Sequence, residues 1–163
     1  MADADQAADR EAILALYGDE DRELVELIIR SKDRTANRVG EIIAFAQAAG
    51  FQRIGIAYCA GLADEAGRLK EMLEPHFEVT VADCKVFGLE NGDFVEGASG
   101  AACNPVGQAK VLADADTQLN IVLGLCLGHD ILFAKHSKAP ATTLGVKDRV
   151  LGNDPLAALR QQG

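Results

Sequence analysis

The chain has 163 residues, of which 48% are hydrophobic and 25% charged, enough to bury a sizeable core in a single domain, 1–163. A formal charge of −9 would repel a phosphate backbone, and only 5% of residues are aromatic, so no nucleic-acid partner is expected. No apolar run reaches membrane-spanning length, and Met-Ala-Asp-Ala-Asp-Gln at the start lacks the basic and apolar regions of a signal peptide, so no membrane association and a cytoplasmic location are expected.

The first fifty residues read as helical. Ile13, Leu14, Leu16 and Tyr17 precede Gly18, Leu24 to Ile29 follow, and Val39 to Ala46 lead to Gly50, each set forming an apolar stripe expected to pack on a sheet. From Arg53 the pattern changes. Arg53 to Cys59 and Phe77 to Cys84 read as strands, with a helix over Ala63 to Leu73 between them. Lys85 to Ala102 is rich in Gly and poor in periodicity, which makes it a long loop of the kind that usually serves function. Asn104-Pro105 has the form of an N-cap followed by Pro in the first helical position, opening a helix to about Ala115. A strand ends at Cys126, a tight turn passes Gly128, and a helix begins at His129. Ala141 to Lys147 is a fourth strand, and Asp154-Pro155 opens a short last helix.

Strands alternating with helices imply parallel pairing through right-handed crossovers. The fold class is therefore α/β, a three-layer Rossmann-like or flavodoxin-like sandwich with a mainly parallel sheet of about four strands in the order 2-1-3-4 and N-terminal helices. The gap between strands one and three is then the topological switch point, where such sheets build their sites.

Four cysteines in a chain without a secretory signature suit metal ligation, redox chemistry or packing better than a disulfide framework. Cys59, Cys84 and Cys126 fall at the carboxyl ends of three strands that the order above makes neighbours, and Cys103 precedes a helix that starts at the same edge. Neighbouring strands lie about 4.8 Å apart, close to the sulfur spacing of a tetrahedral thiolate site. The metal ligands expected are thus Cys59, Cys84, Cys103 and Cys126, holding zinc or an iron–sulfur cluster. No Cys-x-x-Cys pair occurs, so the expectation comes from topology. The alternative, that a cysteine on a buried strand is a small hydrophobe, carries no chemistry.

Gly124-Leu-Cys-Leu-Gly-His129 also resembles the nucleophile elbow of class I glutamine amidotransferases, with Cys126 as nucleophile and His129 as its neighbour. That family's downstream His-Pro-Glu pattern is missing. His129, in the first turn of its helix, is a candidate for a position beside the metal or a cofactor, as is the cap residue Asn104; His76 and His136 read as surface residues. Lys147-Asp148-Arg149 could meet an anion at the same edge.

From about Arg38 to Leu159 the chain resembles the metal-binding proteins grouped as domain of unknown function 1847, on Arg53-Ile-Gly-Ile-Ala-Tyr-Cys59, Cys84-Lys-Val86, Cys103-Asn-Pro-Val-Gly-Gln-Ala109, Gly124-Leu-Cys-Leu-Gly-His-Asp130, Lys135-His-Ser-Lys-Ala-Pro140 and Lys147-Asp-Arg-Val150. All four cysteines stand at that family's cysteine positions. The resemblance implies metal binding but no particular reaction. Many of that family start with a further cysteine-rich segment, so one metal centre is expected here, with a redox partner or a small-molecule ligand as its other partner.

Overall fold

Residues 9–160 are described by the computed structural model of the protein. They fall into two compact units, one up to Ala49 and one from Gly50 onward. The first unit is helical throughout. Its helices are α1 (helical over residues 9–14), α2 (Asp19–Ser31) and α3 (Arg38–Ala48). Asn37 caps α3 by accepting from the Gly40 N–H at 3.0 Å, and Gly50, at φ +69°, ends it in the left-handed conformation that a residue without Cβ adopts freely. None of the residues of α2 is buried, so its apolar stripe of Leu24, Val25, Ile28 and Ile29 stays largely open to solvent.

The second unit carries the sheet. Its elements are β1 (Arg53–Tyr58), α4 (Ala63–Leu73), β2 (Glu78–Asp83), α5 (Pro105–Asp114), β3 (Leu119–Leu125), α6 (His129–His136), β4 (Ala141–Val146) and α7 (Ala157–Arg160). All three strand pairings are parallel and the order is β2-β1-β3-β4. This is the α/β architecture and the strand order expected from the alternation of elements. β1→β2 and β2→β3 cross the sheet in opposite directions, so right-handed crossovers place α4 on one face and α5 and α6 on the other.

The central strand β3 is buried along its whole length, as a parallel strand covered on both faces must be. Under α5 and α6 the core is built from Ala57, Ala82, Ala109, Leu112, Val122, Leu125 and Phe133. Burying a side chain the size of Leu112 or Phe133 contributes about 1.5–3 kcal/mol. Small residues on β1 set the helix distance here: a Cβ on Gly55 would meet the Leu112 side chain at 2.9 Å. At the amino edge the buried Asn120 is tied by Thr117 Oγ1 and Ser137 Oγ, both at 2.8 Å, so a polar group in the core is satisfied.

Strand ends differ from the sequence reading by a residue. β1, β2 and β3 stop at Tyr58, Asp83 and Leu125, which leaves Cys59, Cys84 and Cys126 as the first residue beyond each strand. Lys85 to Ala102 is not structureless: Glu90 bridges Ala101, Asn91 N donates to Gly100 O at 2.8 Å and Ala102 N to Leu89 O at 2.7 Å, closing it into a tied loop.

Candidate functional site

Three chain segments converge where β1 and β2 end. Tyr58 pairs with Asp83, so one step on Cys59 comes level with Cys84. Cys103 is brought to the same place by a backbone bond, Asn104 N donating to Cys84 O at 2.8 Å. Asn104 also caps α5, with its Oδ1 accepting from Gly107 N at 2.8 Å and its Nδ2 donating to Val86 O at 3.2 Å. Its polar atoms are thereby used in holding the Cys84 loop against the helix that follows Cys103.

Cys84 is 3% exposed. Burial pushes its thiol up from 9.0 to about 11, and the neighbouring Cys103 and Cys59 sulfurs push in the same direction, partly offset by the Ala60 N–H donating to Cys84 Sγ at 3.4 Å. Cys84 therefore feels the charge of both Cys103 and Cys59. It does not ionise cheaply beside them without a positive partner.

Cys126 is displaced from this trio by register. Tyr58 pairs with Leu123, and Cys59 N donates to Leu123 O at 3.1 Å, so Cys59 stands level with Gly124 rather than with Cys126. Cys126 lies two residues farther along the chain, beyond Gly124. The strand is irregular at this point. The pairing of β3 with β4 shifts at Val122/Leu123 and again at Leu123/Leu125, and Gly124 takes φ +66°. A side chain at Gly124 would run into Leu62 and lie 4.0 Å from the Cys59 Cβ, so its absence lets the turn carrying Cys59 close onto β3. Among the described residues, no group of three or more His, Cys, Asp or Glu side chains is arranged to hold a metal ion. All four thiols are free.

Cations reach the thiols from separate segments. Lys85 Nζ donates to Ala101 O at 2.8 Å and to Cys103 Sγ at 3.5 Å. Arg149 Nη2 donates to Cys126 Sγ at 3.3 Å. Lys147 Nζ and Cys59 Sγ both lie within 4 Å of the point that a Cβ on Gly61 would occupy. These contacts gather positive charge around the sulfurs in a chain whose net charge is −9.

His129 opens α6, with its N–H on Cys126 O at 2.9 Å, and its side chain is half-buried. Asp130 Oδ1 accepts from Gly128 N at 3.0 Å and Ile131 N at 2.8 Å, so the free N–H groups at the start of α6 are met by the helix's own carboxylate. His136 ends the same helix, exposed, and His76 lies in an exposed turn with its ring 5.9 Å from that of Phe77.

Arg149 belongs to the cationic run that the sequence marked for an anion at this edge, whereas Lys85 and Gln108 were not singled out. Lys85 directly follows a cysteine, so it had a signal. Gln108 is one helical turn beyond Asn104 on the same face of α5, a spacing that points it back at the strand ends. It is fully buried, and its Nε2 donates to Tyr58 O at 3.0 Å and to Ala82 O at 2.7 Å.

Residues 4–144 match the family described as "Protein of unknown function (DUF1847)". The chain belongs to that family. All four cysteines and Gln108 lie within the matched residues, whereas Lys147 and Arg149 lie beyond them. The chain is also 48% identical over 127 residues to the uncharacterised protein MJ0455 of Methanocaldococcus jannaschii, a match covering 75% of this chain and 66% of that relative, just under two thirds of its length. No solved structure matches the chain. Among the described residues, no helix is long and apolar enough to cross a membrane.

Proposed function

We propose that the protein holds one metal centre, a zinc ion or an iron–sulfur cluster, through Cys59, Cys84, Cys103 and Cys126, at the carboxyl edge of the sheet. The observation that carries this reading is the buried Cys84 thiol in electrostatic contact with Cys59 and Cys103 from two other segments, its ionisation pushed up to about 11. A soft cation would offset both the burial and the neighbouring sulfurs that keep the proton on Cys84, and soft thiolates are the donors both zinc and iron–sulfur clusters take. Holding the metal with all four sulfurs requires Cys126 to exchange its Arg149 contact for the metal. Lys85, Arg149 and Lys147 would then offset the negative charge of a four-thiolate centre. Four free thiols with no disulfide suit a reducing compartment, so the reading includes a cytoplasmic location.

A four-thiolate zinc is closed and structural, whereas an exchangeable or redox-active centre does chemistry. The position at the carboxyl edge, next to the switch point between β1 and β3, favours a functional centre that takes a redox partner or a small-molecule ligand. In this reading His129, three residues after Cys126, would stand beside it and the Lys85 to Ala102 loop would cover it. The test is anaerobic purification followed by elemental analysis and an optical spectrum. One zinc per chain without visible absorption, or iron with broad visible absorption, is the expected result, lost in Cys84→Ser. Neither metal at stoichiometric level overturns the reading.

One observation favours a second reading, in which Cys126 is the nucleophile of a thiol enzyme. Its sulfur receives the Arg149 N–H, and it lies in the turn between β3 and α6, three residues before the helix begins. Selective alkylation of Cys126 in the metal-stripped protein, with turnover abolished by Cys126→Ser, would establish it in place of the metal centre.

A further inference from the structure

Gln108 is a fully buried carboxamide whose Oε1 has no hydrogen-bond partner among the described residues. Its orientation is fixed by its neighbours: the two groups within reach of the other end are carbonyl oxygens, which only accept, so the NH2 must face them. A residue needed only to fill this space would be apolar and leave no orphan oxygen. The retained cost points to the two donor bonds as what the position requires.

Those bonds go to particular places. Tyr58 O is the last carbonyl before Cys59, and Ala82 O lies two residues before Cys84. The first turn of the same helix holds Cys84 from its other side, through Asn104 N on Cys84 O at 2.8 Å. One side chain thus grips the ends of both cysteine-bearing strands from a helix that itself starts directly after Cys103.

We propose that Gln108 is a positioning residue that sets the spacing of Cys59 and Cys84, acting through the carbonyls of Tyr58 and Ala82. The inference rests on reading these thiols as one ligand set, and it is tested by two measurements, one of which needs no metal. The variants are Gln108→Met, which keeps the length and loses both donors, and Gln108→Asn, which keeps the carboxamide but is one methylene too short to reach. Asn120→Ala is the control, removing a buried polar network at the opposite edge of the sheet.

Zinc affinity, read by competition with a chromophoric chelator, is expected to fall about 10- to 100-fold in the Gln108 variants, the usual cost of losing a group that orients ligands. In Asn120→Ala it should stay near wild type even where the thermal midpoint falls as far. The second measurement is the yield of the Cys59–Cys84 cross-link formed by dibromobimane in metal-stripped protein, expected to drop several-fold with Gln108→Met and not with Asn120→Ala. Unchanged cross-linking, or equal losses in the control, overturns the proposal. If Gln108→Met does not fold, Gln108→Asn decides the matter. If wild-type protein binds neither zinc nor iron, the metal reading fails and the cross-link yield still decides the role of Gln108.

Discussion

Raising the pH from 8 to 12 on metal-stripped protein should expose the cost of burying Cys84 among other thiols. Its thiol moves from 9.0 to about 11 in the fold. Below pH 9 the folded and unfolded chains both keep this proton, and the group costs nothing through ionisation. Between about 9 and about 11 the unfolded chain sheds the proton while the folded chain retains it, so the unfolded state is favoured and stability falls as pH rises. A difference of two in pKa is worth about 2.7 kcal/mol, all of it lost above pH 11. Lysines and tyrosines titrate in the same range, among them Tyr58, which is raised by burial and by the charges of Asp83 and Cys84. The assay is therefore a difference: urea unfolding followed by circular dichroism, wild type against Cys84→Ala, at half-unit steps of pH. The stability of wild type relative to the variant should fall by about 2–3 kcal/mol across the window. A difference that stays flat from pH 8 to 12 would refute the argument that Cys84 is a buried, protonated thiol. On the proposed metal reading, the same shift predicts that uptake near neutral pH would displace a proton from Cys84, which titration calorimetry in buffers of different ionisation enthalpy would read as a buffer-dependent heat.

Two other substitutions probe the site from its supports. Gly124→Ala places a Cβ at φ +66° and against Leu62, combining left-handed strain of about 1–2 kcal/mol with overpacking of about 1–3 kcal/mol; chemical denaturation should show a loss of at least about 2 kcal/mol, and Leu62→Ala in the same chain should recover the overpacking part. A loss under about 1 kcal/mol would mean that the turn carrying Cys59 does not press on β3. Arg149→Met removes the N–H that Cys126 Sγ receives, and since the guanidinium is exposed the effect is modest: iodoacetamide should label Cys126 roughly two- to fivefold more slowly at pH 7.5. An unchanged rate would remove Arg149 from any role in stabilising the thiolate.

Much of this protein was legible before its tertiary structure, for local reasons. The alternation of short apolar runs with helical stripes gives the elements, Asn104-Pro105 and Gly128 mark helix starts, and the crossover rule makes the sheet parallel; these are properties of a few neighbouring residues each. The cysteines could be placed at strand ends in the same way. What the sequence could not supply was register. Pairing strands by their ends suggests that Cys59, Cys84 and Cys126 stand side by side, whereas the ladder sets Cys59 level with Cys84 and with Gly124, leaving Cys126 two residues beyond. The reason is that the unbroken β1–β3 ladder matches Tyr58 with Leu123, and a strand's slippage relative to its neighbour depends on packing from other segments rather than on its own pattern. The contacts that define the site share this origin. Lys85, Arg149 and Gln108 reach the thiols or the strand ends only once α5, the loop after β2 and the chain after β4 have docked at one edge. Those distances are fixed by the tertiary structure because each joins groups separated by tens of residues, or by a turn whose course the sequence leaves open.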